Sequence, residues 1–276
     1  MKIIGFIAVF LCGCLLIYGA SDFPVWGDPS SPASTHVSPY YIETTMELTH
    51  VPNIVTSVLA DYRGYDTMYE TTVIFGAGIA CFLLLRIIKK KDPVSRLYRH
   101  KATGITLRIE KGGKIPEKSS VFERIDSEWV PYDLILQISC RLLVPLIQIF
   151  ALYVIAHGHY SPGGGFQGGV ILAASVILIA ISYDLRSALK KMSERASAFM
   201  SAIGVFIYAG TGALCLILGA NFLDYAALDS LLGSGVVMAR SHGIFIVEIG
   251  VGIAVMAVMI CLYYNLSSEG KQDEGL

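Results

Sequence analysis

The chain has 276 residues, 54% of them hydrophobic and 16% charged, with a mean hydropathy of +0.60. Such values exclude a soluble globular domain and point to several membrane spans. The formal net charge of −1 conceals an asymmetry, because 12 of the 21 Lys and Arg lie between Arg86 and Arg124.

A bilayer core needs about 20 apolar residues per helix. Six segments approach or meet that length: Ile3 to Ala20, Met68 to Ile88, Val130 to Ala156, Gly168 to Tyr183, Ala196 to Ala220 and Val236 to Tyr264. The first follows a single basic residue, Lys2, and ends in Tyr18-Gly19-Ala20 before a polar stretch, so a cleaved signal peptide is its alternative reading. Basic residues mark the cytoplasmic side of the others. Lys89-Lys90-Lys91 through Arg124 follow the second span, and Arg186, Lys190, Lys191 and Arg195 follow the fourth. The Pro/Ser-rich stretch Ser21 to His50 and the stretch Asn221 to Gly235 carry no Lys or Arg and read as external loops. The resulting expectation is an all-α integral membrane protein with about six transmembrane helices, two plus four, and both termini in the cytoplasm.

The basic linker divides the chain into a two-helix unit (1–90), a cytoplasmic linker (91–129), a four-helix unit (130–266) and a cytoplasmic tail (267–276). Gly112-Gly113 and Pro116 argue against one continuous helix through the linker. Thr103 to Glu110 alternates weakly, as a short strand would.

All six cysteines, Cys12, Cys14, Cys81, Cys140, Cys215 and Cys261, fall in apolar runs with no Cys-x-x-Cys pair, so they read as small apolar residues. Glu248 stands near the middle of the last span, where an ionised carboxylate costs several kcal/mol unless it is paired or faces water. A glutamate there can exchange a proton or ligate Na+, or it can serve as a structural hydrogen-bonding group. Arg141 lies inside the third span and needs a counter-charge; Glu248 is the expected partner. Arg240 and His242 precede Glu248 on the same helix and read either as gating groups or as an anchor that snorkels to the interface. Asp184 and Arg186 read as a solvated helix end.

His157 and His159 form a His-x-His pair with no third ligand, which is a weak metal site. They read instead as a proton-responsive pair or a polar helix end. Next comes Pro162, followed by Gly163, Gly164, Gly165, Gly168 and Gly169. Those glycines lack the Lys-Ser/Thr of a phosphate loop and read as permitting positive φ and close helix approach. In the N-terminal half, Asp61, Arg63, Asp66 and Glu70 place four charges within ten residues at the edge of a span. The cluster reads as a cation-attracting entry with Arg63 holding the loop. Its local alternative is a capping box, Thr67-x-x-Glu70, with Asp66 beside a positive helix N-terminus.

The run Pro162-Gly163-Gly164-Gly165-Phe166-Gln167-Gly168-Gly169, with Ser241-His242-Gly243 and Glu248 in a final helix, resembles the B-type chain of the Mrp-type multisubunit Na+/H+ antiporters. The resemblance covers Val130 to Asn265. The matching chain of archaeal membrane hydrogenase and sulfane-reductase complexes shares it. Asn53 to Thr67 followed by Glu70 resembles the C-terminal end of the A-type antiporter chain, which in the archaeal complexes is a separate small chain of E type. Tyr62, Tyr65 and Tyr69 depart from that pattern, and the linker has no counterpart in it. The resemblance implies a fusion of E-like and B-like units that is itself no enzyme, and the lack of a metal-ligand set or haem spacing in the sequence leads to the expectation of no cofactor. It also implies transport of Na+ and H+ at the cell membrane. The implied partners are C-like, D-like and G-like chains and large antiporter-like subunits, without nucleic acid. Asp61, Asp66, Glu70 and Glu248 are the candidates for the ion route. Arg63, Arg141, His157, His159, Arg240 and His242 are the supporting or gating candidates. Two rivals stay open: a structural scaffold, and a haem anchor using His157, His159 or His242.

Overall fold

The structure is a computed structural model that describes residues 2–87, 96–109, 119–124 and 134–268. Six helices among these residues are long and apolar enough to cross a membrane: Ile3–Ala20, Gly64–Leu85, Leu134–Ala156, Gly165–Ser182, Glu194–Ile217 and Val236–Ser267. The all-α membrane class and the count of six spans are therefore borne out. The chain divides into two compact units, Met1–Met46 and Glu47–Leu276.

The first unit holds helix α1 (Lys2–Ala20), a π-turn at Ala33–Val37 and most of α2 (Ser38–Thr49). Isoleucine, phenylalanine and leucine side chains are exposed along α1, as a bilayer-facing helix requires. The expected loop from Ser21 to His50 is thus partly helical. Thr44 and Thr45 cover the preceding turn by donating to the carbonyls of Tyr40 and Tyr41, so Thr, a weak helix former, is accommodated.

The second unit begins with a broken helix. Asn53 caps α3 (Ile54–Ser57) by accepting from the Val55 N–H at 3.1 Å. A π-turn follows at Val58–Tyr62, and α4 (Gly64–Ile87) starts after a kink at Arg63. In the linker, strands β1 (Arg96–His100), β2 (Thr106–Ile109) and β3 (Phe122–Arg124) form an antiparallel sheet in the order β2-β1-β3. The alternation noted in residues 103–110 thus contains a real strand, paired Tyr98 to Leu107, while His100 pairs with Phe122 across the other edge of β1. Lys89 to Lys91, Gly112, Gly113 and Pro116 lie outside the described residues.

The C-terminal part comprises α5 (Leu134–Ala156), α6 (Gly165–Ser182), α7 (Leu185–Lys191), α8 (Glu194–Ile217), α9 (Asp229–Leu232) and α10 (Val236–Ser267). Asp184, read as a solvated helix end, caps α7 by accepting from the Ser187 N–H, and Ser193 caps α8 in the same way. The interval from Asn221 to Gly235 is a 3₁₀ turn (Tyr225–Leu228) and α9, rather than open loop.

Helix α10 is the hub, packed against α8, α6 and α4, while α5 packs on α6. Small residues make those approaches possible. A Cβ at Gly204 of α8 would lie 2.5 Å from both the Gly250 carbonyl and the Ala254 nitrogen, and one at Gly169 of α6 would lie 2.5 Å from the Gly252 carbonyl. Inside a bilayer, where lipid is as apolar as a leucine core, such backbone-to-backbone contact is a main source of helix association. Tyr208, Tyr225, Ile244, Val247 and Val255 fill the interior between these helices.

Candidate functional site

The glycine loop descends from the end of α5 to meet the middle of α10. Gly163 has φ +113°, a conformation that β-carbon residues rarely adopt. Gly164 is extended and its N–H donates to the Gln167 side chain at 3.1 Å. That is half of a capping box, since glycine has no side chain to return the bond. Helix α6 then starts against Glu248, about 18 Å along α10 from its first residue at a rise of about 1.5 Å per residue.

The loop wraps the Glu248 carboxyl closely. A Cβ at Gly164 would stand 2.5 Å from Glu248 Oε1 and one at Gly158 would stand 2.6 Å from Oε2; at Gly165 it would collide with the Glu248 backbone carbonyl. The glycines are therefore required by the carboxyl's position more than by turn geometry. The carboxyl lies beside Gly164 and Gly165, so the positive N-terminal end of α6 faces a potential anion. Glu248 Oε2 is buried and has no hydrogen-bond partner among the described residues.

The loop's outer side is held by the N-terminal half of the chain. Asn53 Nδ2 donates to the carbonyls of Gly158 and Ser161, both at 2.9 Å, and its backbone N–H donates to the His159 carbonyl at 2.9 Å. Thr56 Oγ1 donates to the same Gly158 carbonyl at 2.8 Å. Two buried tyrosines fasten the broken helix from the other side: Tyr208 Oη donates to the Gly64 carbonyl at 2.9 Å and Tyr225 Oη to the Ala60 carbonyl at 3.0 Å. Gly243 is small because Tyr225 lies directly on it. Sequence reasoning passes over Asn53, Thr56, Tyr208 and Tyr225 as site residues. An Asn immediately before a short apolar run is a helix-cap signal, and a Tyr within an apolar span must find a partner for its hydroxyl.

Between these parts lies a cavity of ≈ 440 Å³ bounded by the π-turn and start of α4, the glycine loop, α8 and α10. Glu70 of α4 and Glu248 of α10 both line it, with Thr56, Thr67, Thr71 and Tyr208 among its polar neighbours. Two carboxylates that lie 178 positions apart in the chain thus open onto one space.

The acidic cluster at the start of α4 does not act as a unit. Asp61 turns inward and pairs with Arg240 of α10, its Oδ2 at 3.1 Å from Nε and 2.5 Å from Nη2. The side chains are 6% and 23% exposed. Burial raises Asp61 above the usual carboxylate value, although Arg240 pulls the other way. Arg240 is accordingly no snorkelling anchor but the counter-charge that fastens α10 to the π-turn. Asp66 pairs with Arg63 at the surface, with the two side chains 57% and 62% exposed. The capping-box reading of Thr67 and Glu70 is corrected. Helix α4 starts at Gly64, and Thr67 Oγ1 instead donates back to the Leu59 carbonyl at 2.7 Å, which the π-turn leaves available. Asp66 does lie in the first turn of α4, as expected.

Arg141 is exposed on α5 and does not pair with Glu248, contrary to expectation. The two loop histidines diverge. His157 is exposed and stacks on Tyr153 at 4.0 Å between ring centroids, while His159 turns inward to Phe245 at 5.8 Å. Burial first, then the neighbouring His242, hold His159 below the usual histidine value. His242 itself is exposed. The side chain of Arg186 lies outside the described residues. Among the described residues no group of three or more His, Cys, Asp or Glu could hold a metal.

Known proteins resemble this chain in sequence and fold. Residues 135–261 match the domain related to the MnhB subunit of Na+/H+ antiporters, and residues 24–98 match the family of the MBH E-type chain, MbhE. The chain is 30% identical over 130 residues to the B-type chain of the Na+/H+ antiporter of Alkalihalophilus pseudofirmus, covering 45% of this chain and 90% of that protein. It is 33% identical over 93 residues to the B-type chain of the Na+/H+ antiporter of Bacillus subtilis, covering 34% of this chain and 64% of that protein. The chain thus spans under two thirds of the Bacillus subtilis relative's length. A solved chain of an archaeal respiratory membrane complex, the membrane-bound sulfane sulfur reductase, has the same fold. Its TM-score is 0.60 at 24% identity, over 96% of this chain and 97% of that one.

Proposed function

Over its C-terminal half the chain belongs to the MnhB family of Na+/H+ antiporter subunits, and from that membership we propose that it is a multi-pass membrane component of an Mrp-type Na+/H+ antiport module. In that role it contributes part of the sodium and proton route and the interface to other antiporter-type subunits. It is a non-catalytic member, and chains of an archaeal sulfane sulfur reductase and of an Mrp complex both share its fold. The basic stretches after the second and fourth spans support a topology with both termini and the linker sheet in the cytoplasm.

One observation carries the reading: Glu70 and Glu248, one from each half, line the same cavity. Irregular backbone at membrane depth is tolerated where it lines a cavity or is buried in protein. Here the broken start of α4 and the N-terminus of α6 both end on that cavity, an arrangement common at the ion and substrate sites of secondary transporters. An isolated scaffold has no need to place two carboxylates there. Leu59 lines the cavity and is half exposed, so a cysteine fits at that position. In vesicles containing the assembled complex, a charged methanethiosulfonate reagent should block Na+-dependent proton movement in the Leu59→Cys variant but not in the parent chain, and Na+ should slow the block. Full transport after complete modification of the Leu59→Cys thiol would refute the cavity as part of the route.

A further inference from the structure

Helix α5 packs on α6 and touches α10 only slightly, so a long face of it is exposed. Leu134, Ile138, Arg141, Pro145 and Leu152 form a stripe along that face, all of them exposed, at steps of four, three, four and seven residues. This is the spacing at which one helix interlocks with another. The leucines and isoleucine suit lipid equally well, but Arg141 does not. It stands roughly 10 Å inside the span that starts at Leu134, at a rise of about 1.5 Å per residue. Charged groups at such depth face a bundle interior or pair with an opposite charge. Among the described residues the Arg141 guanidinium has no ion pair.

The backbone adds a second demand at the same level. Pro145, four residues on, has no N–H to give the Arg141 carbonyl, so that carbonyl lacks its helical donor. One turn of the stripe therefore calls for both an anion and a hydrogen-bond donor.

The acids on this chain's described spans do not meet the demand. Helix α1 has none. Glu248 is enclosed by the glycine loop, and Asp66 is paired with Arg63. Glu70 is exposed, but it lies roughly 9 Å from the start of α4. Helix α4 runs into the linker and α5 runs out of it, so their starts lie on opposite faces of a hydrocarbon core about 30 Å thick. A second copy of the chain in the same orientation would bring its Glu70 to the wrong leaflet. A lipid phosphate accepts hydrogen bonds and donates none, so it leaves the carbonyl bare. A protein helix can bring a carboxylate and a donor within one turn.

We infer that the stripe from Leu134 to Leu152 is the docking surface for a membrane helix of a different subunit, which presents an Asp or Glu to Arg141. The inference rests on the chain being one member of a multisubunit module, and it adds where a partner sits and what chemistry it carries. The apolar residues on either side of Arg141 supply the close packing that associates helices in lipid, and the ion pair fixes their register.

The test uses the assembled complex, with photoreactive benzoylphenylalanine placed at Ile138 or at Leu152. Both positions should crosslink to one membrane helix of another subunit that carries an Asp or Glu at the level of Arg141. Arg141→Leu and Arg141→Glu should each lower complex yield on native gels several-fold. Arg141→Leu should leave the melting temperature of the isolated chain in detergent unchanged, which separates a lost partner from a misfolded chain. Exchanging the crosslinked helix's acid for arginine should restore the yield of Arg141→Glu. Crosslinks to lipid alone or to a second copy of this chain, a crosslinked helix without an acid at that level, or native complex yield in Arg141→Leu would overturn the inference. The thiol block at position 59 in the parent complex reads the ion route separately, so failure of this surface is distinguishable from failure of the transport reading.

Discussion

Gly164→Ala is the sharpest steric probe of the glycine loop. Gly164 is extended, at φ −167° and ψ −152°, so alanine meets no backbone penalty there. The added Cβ would instead stand 2.5 Å from Glu248 Oε1 and 3.3 Å from its Cδ. Overpacking of this kind costs about 1–3 kcal/mol. The reduced freedom of alanine in the unfolded chain returns about 0.4–1 kcal/mol. A net loss of about 1–2 kcal/mol is expected, which at about 2–4 °C per kcal/mol lowers the melting temperature by about 2–8 °C. The cause is identified by a double-mutant cycle in detergent-purified protein, with unfolding followed by circular dichroism. In a Glu248→Ala background the carboxyl is gone, so the alanine at 164 should cost about 0 kcal/mol and the coupling should equal nearly the whole single-mutant effect. If Gly164→Ala destabilises equally in both backgrounds, the loop is not built around Glu248 and the reasoning fails.

Further expectations follow from the same geometry. Arg240→Ala should destabilise by about 3 kcal/mol, because it leaves the Asp61 charge buried without its partner, and pairing it with Asp61→Asn should recover most of that loss in the same unfolding assay. Asn53→Ala removes donors from the Gly158 and Ser161 carbonyls and should cost about 1–3 kcal/mol, seen as faster protease cleavage between residues 157 and 164. His159 binds its proton less readily in the folded chain than in the unfolded chain. Its contribution to stability is therefore full above the unfolded value of 6.5 and is lost as pH falls through the lower folded value. Melting curves of His159→Asn should show a smaller drop on acidification below pH 6.5 than those of the native chain.

The parts legible in the sequence are those with a local signal. Six apolar runs declare the spans, because hydropathy depends only on neighbours along the chain. The run from Pro162 to Gly169 declares a shaped loop, and the alternation of residues 103–110 declares a strand. Glu248 is legible as a group needing an explanation, since a carboxylate in an apolar run is costly wherever its partners lie. Its surroundings are not. The pairing of Asp61 with Arg240 joins residues 179 positions apart, and no pattern in either segment points to the other. The nearby pairing of Arg63 with Asp66 is the kind of contact sequence reasoning reaches easily, and it is the solvent-exposed one. Arg141 misleads because a costly arginine in a span is expected to turn inward, whereas on α5 it lies on the exposed face. Helix α4 starts three residues before the expected cap because the π-turn, which no composition rule flags, re-phases the chain and frees the Leu59 carbonyl for Thr67.

The most direct measurement of the shared cavity is the Na+ dependence of proton movement in vesicles that contain the complete complex, compared for Glu70→Gln, Glu248→Gln and the double variant at equal complex yield on native gels. A single route through both carboxylates requires each single variant to weaken Na+-coupled transport, with Glu70→Gln acting on KM and Glu248→Gln on the maximal rate, and requires the double variant to be no worse than Glu248→Gln alone. Native Na+ dependence in both single variants would contradict the account.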